Sequence, residues 1–188
     1  ADRILEGLDP EAVKKAQEKF ARMDSVGQAK MTELAQSSDH DDLVIAPNLW
    51  AGIGLIREGA GTALVGSHQQ VADRLLTDEL WSGWGIRTMS LLDAAHNPLS
   101  YHNGTVWPHD TSLGAWGLCR AGRPGDVERI AATLLEASRH FTWSLPEVFA
   151  GFSRRQTPFP IAYPTAARPQ AWAAGAPVLC LQLLLGIR

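Results

Sequence analysis

Hydrophobic and polar positions follow one style in the first third of the chain and another after it. In "DPEAVKKAQEKFARM", residues 9–23, the apolar positions recur at helical spacing, with Asp9 as N-cap, Pro10 in the first position and acids early. "SSDHDDL" (37–43) is polar nearly throughout and predicts a loop. "LVIAPNLWAGIGLI" (43–56) is almost continuously apolar and rich in β-formers, with a break at Pro47. "REGAG" reads as a glycine turn, "TALVG" (62–66) as a short buried strand, and Ser67 as the cap of a helix through "HQQVADRLL". Strand, Gly-Ser and helix in that order make a βα unit whose helix N-terminus could face an anion.

Beyond Thr77 the strand signals stop. "HDTSLGAWGLCRAG" (109–122) has helical spacing and ends at Gly122. "PGDVERIAATLLEASRHF" (124–141) predicts a helix that opens on Pro124 and Asp126 and closes on Arg139 and His140, as the helix dipole favours. "RPQAWAAGAPVLCLQLLLG" (168–186) predicts a helix apolar on nearly every side, hence a buried one. Long loops rich in Trp, Pro and Gly join these helices. Helices linked by decorated loops predict an α/α architecture whose loops gather into a site at one end.

Composition sharpens the boundary between the two styles. All four lysines lie in the first 30 residues, and six of the seven tryptophans lie after Thr77. Residues 1–76 hold eight basic and twelve acidic groups, whereas 77–188 hold nine and eight. The chain therefore reads as two parts, 1–76 and 77–188. A net charge of −3 gives no reason to expect nucleic acid or an anionic membrane surface. No apolar run reaches the ~20 residues of a membrane span. The start is a charged helix pattern, and Cys119 and Cys180 lack metal or redox spacing. These features predict two buried free thiols, no metal, and a reducing cytoplasm.

Four stretches in the second part share one chemistry: "WSGWGIRT", "NPLSYHNGTVWPHD", "WSLPEVFAGFSRR" and "YPTAARPQAW". Indole faces stack on the C–H face of a sugar ring, and Asp, Asn, Gln, Arg and His bond its hydroxyls. Glu147 follows Pro146 and precedes Val148 and Phe149, a setting that suits a carboxylate for acid–base work. Taken singly, each of these residues has an ordinary structural role. A Trp is commonly a core residue, and Asp110 could simply cap the helix after it.

Those stretches resemble the C-terminal part of bacterial glycogen-debranching-type α-glucosidases, the amylo-α-1,6-glucosidase-like enzymes, from about Val71 to Arg188. The resemblance implies an (α/α)6 barrel that cleaves α-glucosidic bonds with inversion. It implies that Glu147, on the family's "LPE" glutamate, is the general base that activates water. Trp107, His109 and Asp110, on the "VWPHD" stretch, would line the glucose subsite, with Arg87, Tyr101 and Gln170 near the same pocket. Trp107 would keep one ring face open to the sugar. Inversion uses two carboxyl groups about 6.5–9.5 Å apart. The family's general acid lies upstream of the matching region, and no residue of 1–76 matches it. Should a second carboxylate exist in this chain, Asp110 and Asp93 are the first candidates.

The first part resembles a different family. "ARMDSVGQAKM" and "APNLWAGIGLIREGAGTALVGSHQQVADRLL" are similar to flavin-dependent alkanesulfonate monooxygenases of the luciferase-like superfamily. These are TIM barrels that use reduced FMN supplied by a reductase. The resemblance implies that Arg57, Gly59, Gly61 and Thr62 contact the flavin phosphate, as amides of a glycine turn can. A TIM barrel takes ~250 residues, so this part would be a fragment of one.

The resulting expectation is a chimera joined near residues 71–80: a mainly α chain, with a partial (α/α)6-barrel segment preceded by a short α/β piece of TIM-barrel type. Its function would follow the second part: a glycoside-hydrolase-like fragment that binds an α-glucoside or oligosaccharide, needs no cofactor and is inactive alone. The alternatives are an FMN-dependent monooxygenase fragment and a non-catalytic sugar-binding or structural module.

Overall fold

The computed structural model describes residues 9–11, 14, 15, 18, 43–53, 62–93 and 95–187. Among these the chain is mainly helical, with four named helices and a small three-stranded sheet. It divides into two compact units: 1–71 with 91–96, and 72–90 with 97–188. None of the helices is long and apolar enough to cross a membrane, among the described residues.

In the first unit, β1 (Val44–Ala46) and β2 (Leu49–Trp50) pair antiparallel, and β2 pairs antiparallel with β3 (Ala63–Leu64). The reversal is made by Pro47 and Asn48. Proline fixes φ at about −65°, and Asn48 accepts φ 63°, the combination a type II turn requires. The Asn48 side-chain amide donates to the Val65 carbonyl at 2.9 Å, and the Val65 N–H donates to the Asn48 carbonyl at 2.9 Å. The break at Pro47 is thus a hairpin turn. An antiparallel ladder differs from the parallel strands expected of a TIM-barrel piece, because a two-residue turn can only return the chain antiparallel. Leu43, Leu49, Trp50 and Ala51 are buried in this unit.

The helix α1 (His68–Leu75) follows β3. Ser67 Oγ accepts from the Gln70 N–H at 3.3 Å, and Gln70 Oε1 accepts from the Ser67 N–H at 2.9 Å. This reciprocal pair is a capping box, and it fixes where the helix begins. The division between units falls inside α1, after Val71. At the chain start, residues 10, 11, 14, 15 and 18 are helical, and Asp9 Oδ1 accepts from the Glu11 N–H at 3.1 Å. The remainder of that predicted helix and the "SSDHDD" loop lie outside the described residues.

The second unit is built on α2 (Pro108–Arg120), α3 (Pro124–His140) and α4 (Ala171–Leu184), each packed against the other two. Pro108 and Pro124 occupy the first turn, where a missing N–H costs nothing. α2 stops at Gly122, whose φ of 73° is left-handed. The Arg123 N–H reaches back to the Leu118 carbonyl at 3.0 Å, and the Gly122 N–H to that of Cys119 at 3.1 Å. This is a Schellman stop. Ala115, Leu118, Ile130, Leu134, Ala176 and Cys180 meet in the core.

Two expectations are corrected here. α4 is not buried on every side: Ala173, Ala176 and Cys180 face the core, while Trp172, Val178, Leu181 and Leu184 are exposed. α2 and α3 cover one stripe of it only. Cys119 is also exposed, on the outer face of α2; Cys180 alone is buried, and burial pushes its thiol up to about 11. Both thiols are free.

Loops, not strands, complete this unit. Isolated antiparallel bridges join Arg87 to Val106, Val106 to Phe149 and Phe149 to Ala162. Val106 and Phe149 exchange both backbone hydrogen bonds, at 2.9 and 3.0 Å. Gly151 is pressed against this seam: a Cβ there would lie 1.7 Å from the Gly104 carbonyl oxygen.

Candidate functional site

The bridges bring three of the four decorated stretches together and set the chain before the fourth, "YPTAARPQAW", beside them. The side chains they carry then fall into an aromatic group with Glu147 at its edge.

Glu147 is half-buried. Its N–H donates to the Ala167 carbonyl at 3.0 Å, and the Ala167 N–H donates to Glu147 Oε2 at 3.3 Å. The carboxylate is therefore anchored on the chain that leads into α4. The Tyr101 hydroxyl is its side-chain partner. Burial raises the Tyr101 pKa above 10.0, the hydrogen bond and negative charge of Glu147 raise it further, and Tyr163 adds a smaller push.

From Tyr101 the rings continue. Tyr101 packs on His102 at 4.7 Å, on Trp107 at 4.8 Å and on Tyr163 at 5.6 Å between centroids. His102 stacks on Trp107 with the planes 7° apart. Trp107 meets Trp172 edge-on at 5.9 Å, and His109 stacks on Trp172 at 5.3 Å. Trp107 thus contacts both Trp172 and Tyr101 directly, and Tyr101 links it to Glu147.

The open indole differs from the expected one. Trp107 is only 6% exposed, with His102 lying flat against it. Its indole N–H is taken up by the Tyr101 carbonyl at 3.2 Å and Thr105 Oγ1 at 3.1 Å. It anchors the cluster. Within this group Trp172, at 45% exposure, is the indole with surface to offer. Trp172, Tyr163 and His102 were not singled out from the sequence. The signal lay in the aromatic spacing of "YPTAARPQAW", but spacing alone could not tell which rings would meet.

Of the remaining expected residues His109 joins the group through Trp172, and the others separate from it. His109 lies in the first turn of α2, and its Nδ1 is 3.3 Å from Asp110 Oδ1. Asp110 is an exposed first-turn acid and not the cap; the N-cap position is Trp107, with no side-chain capping bond. Its charge at the positive end of the helix is favourable all the same. Arg87 is 3% exposed, and its guanidinium donates to the carbonyls of Gly151 at 2.7 Å, Asp78 at 3.0 Å and Glu79 at 3.4 Å. Burial lowers its pKa to about 10, against an opposing pull from Asp78. These bonds make Arg87 a tie between loops. Gln170 borders a separate cavity of about 290 Å³, whose lining includes neither Glu147 nor Trp107.

Asp93 belongs to the first unit, where its Oδ1 accepts from the Ala95 N–H at 2.8 Å. Of the residues expected to hold a flavin phosphate, Thr62 is described and Arg57, Gly59 and Gly61 lie outside the described residues. No three His, Cys, Asp or Glu side chains gather to hold a metal ion, among the described residues. No protein-family model matches the chain.

Proposed function

We propose that the second unit is a piece of an (α/α)6 glycoside hydrolase of the debranching-type α-glucosidase class, carrying its general base and part of a glucose subsite. The observation that supports this best is the continuous run Glu147–Tyr101–Trp107–Trp172. It places a doubly hydrogen-bonded carboxylate in one group with an exposed indole. A carboxylate held by the Ala167 N–H and a tyrosine hydroxyl is oriented to accept a proton from a water. An indole face beside it offers the apolar surface that a pyranose ring stacks on. In this reading Trp172 is the stacking platform, His109 supports it from one side, and Trp107 fixes its angle from beneath. Arg87 acts at a distance, by tying the loop after Glu147 to the "GWGIRT" loop.

The chain supplies binding without efficient turnover, because inverting hydrolysis needs a second carboxyl group on the far side of the bond. The experiment is a titration of the 15N-labelled chain with maltose, followed at the indole N–H signals, beside an assay with 4-nitrophenyl α-glucoside. The expected result is a saturable shift at Trp172 and at its neighbour Trp107, the latter lost in Trp172→Ala, with hydrolysis near background in both the parent chain and Glu147→Gln. Absence of any shift at Trp172 would refute the sugar site. Robust turnover abolished by Glu147→Gln would show that the chain holds a second catalytic carboxylate.

A further inference from the structure

The three helices of the second unit share one closing backbone bond, from the second residue past the helix cap back to the carbonyl five residues earlier, but with different residues at the left-handed position. α2 and α4 use Gly122 and Gly186, at φ 73° and 65°. α3 uses Thr142 at φ 52°, and the next residue, Trp143, is also left-handed at φ 64°. A β-branched and an aromatic side chain are both disfavoured there, since Cβ crowds the backbone. The strain is held by local bonds: the Trp143 N–H to the Ser138 carbonyl at 2.7 Å, the Ser144 N–H to the Phe141 carbonyl at 3.0 Å, and Thr142 Oγ1 to the same carbonyl at 2.7 Å. Strain of this kind persists where the surroundings over-determine it, and it concentrates at ligand clamps.

What the strained turn does here is set Trp143 on the rim of the 290 Å³ cavity, with the indole 67% exposed. Leu134, Leu145, Ala173 and Pro177 give that cavity an apolar wall, and none of its lining side chains is charged. Its polar contribution includes Ser144 and Gln170. Gln170 is the N-cap residue of α4 yet makes no side-chain capping bond, so its amide is not committed to the helix. Ser138 also lines the cavity, but its hydroxyl donates to the Leu135 carbonyl at 2.7 Å.

We propose that this cavity is a binding site for a small uncharged aromatic alcohol. Its ring would pack between Trp143 and the apolar wall, and its hydroxyl would bond Gln170 and Ser144. The chemistry selects this class by elimination. A charged ligand would be desolvated with no partner of opposite sign. A hexose would bring more hydroxyls than Gln170 and Ser144 can satisfy, and each one buried unpaired would cost affinity. A purely aliphatic ligand would leave the Gln170 amide covered and unpaired. The volume lies at the lower edge of the ~300–1,000 Å³ usual for ligand pockets, which limits the occupant to a single ring. The proposal is independent of the carbohydrate reading, since Glu147, Trp107 and Trp172 take no part in it.

The test titrates the full 15N-labelled chain with 4-methylphenol and follows the Trp143 indole and Gln170 amide signals. Saturable shifts at both are expected. Gln170→Ala and Trp143→Ala should each weaken binding by roughly tenfold, and Ala174→Leu, which fills the cavity from its wall, should abolish it. Trp172→Ala should leave 4-methylphenol binding unchanged, which separates this site from the one near Glu147. Retained signal dispersion in each variant shows that the fold is intact. The proposal is overturned if no saturable shift appears at Trp143 and Gln170, or if shifts spread evenly over the indoles. It is also overturned if methyl α-glucoside saturates these two signals while 4-methylphenol does not.

Discussion

The two units are organised over different distances along the chain. In the first, the bonds that shape the fold are short-range: the Ser67–Gln70 capping box spans three residues, and the Asn48–Val65 pair spans 17. In the second, the Arg87 guanidinium reaches the Gly151 carbonyl across 64 residues, and the bridges link Val106 to Phe149. Each arrangement pairs backbone polar groups, but by different means. The hairpin and capping box rely on residues whose own chemistry prefers that geometry. The loop seam relies on partners that come together only when the helices behind it have packed. One consequence is that the first unit should feel substitutions locally, whereas the second should feel them as a loss of the whole seam.

The sharpest way to break this contrast is Gly151→Ala. The added methyl would sit 1.7 Å from the Gly104 carbonyl oxygen, a backbone atom that can move only if the loop does. Urea denaturation of the full chain should show a loss of about 3 kcal/mol, at the upper end for overpacking. The Val106 and Phe149 amides should lose protection from hydrogen exchange together. A loss below about 1 kcal/mol would mean the loops slide freely, and the seam would not be a cooperative unit.

In the first unit the matching substitution is Asn48→Val, which places a β-branched residue at φ 63° and removes the bond to the Val65 carbonyl. A cost of about 1–2 kcal/mol is expected, with Asn48→Gly milder because glycine accepts the turn. Exchange should quicken at Leu49, Ala63 and Val65 and leave the Val106–Phe149 amides unchanged. Equal effects in both units would erase the distinction.

The smallest effect concerns the site. Tyr101 has its pKa raised by burial, then by Glu147 and Tyr163. A raised pKa favours the protonated hydroxyl in the fold. The associated stability is therefore fully present below pH 10.0 and is lost as pH rises through the shifted value. Glu147→Gln removes the negative charge and should bring the midpoint down without reaching 10.0, because burial remains. With Tyr163→Phe as background, Tyr101 is the one tyrosine left of the two in the chain, and phenolate absorbance reports it alone. An unchanged midpoint would detach Tyr101 from Glu147.

How much of this was legible beforehand follows the same division. Gly122, Pro124 and Ser67 mark helix ends through their own backbone and capping geometry, and the helices begin or stop within a residue or two of where those residues place them. The four aromatic stretches could be recognised as one chemical group. Their internal order could not. Trp107 and Trp172 are the same residue type in similar polar company, yet one is sealed by His102 and Thr105 and the other lies open. Arg87 reads as a ligand-binding cation in sequence and serves as a tie between loops in the fold.

The sequence by itself determined the helix ends of the second part, the break at Pro47, the cap at Ser67 and the charge and tryptophan asymmetry between the two parts. Those features depend on side chains acting on backbone within a few residues, where sterics and capping bonds leave few options. Only the tertiary structure decided that the small sheet is antiparallel and that α4 is covered along one stripe. It also decided that Trp107 is a buried anchor while Trp172 and Trp143 are exposed, and that Glu147 is held by Ala167 and Tyr101. The bonds that hold Glu147 to Ala167 and Arg87 to Gly151 span 20 and 64 residues, and no local pattern encodes which neighbours those will be.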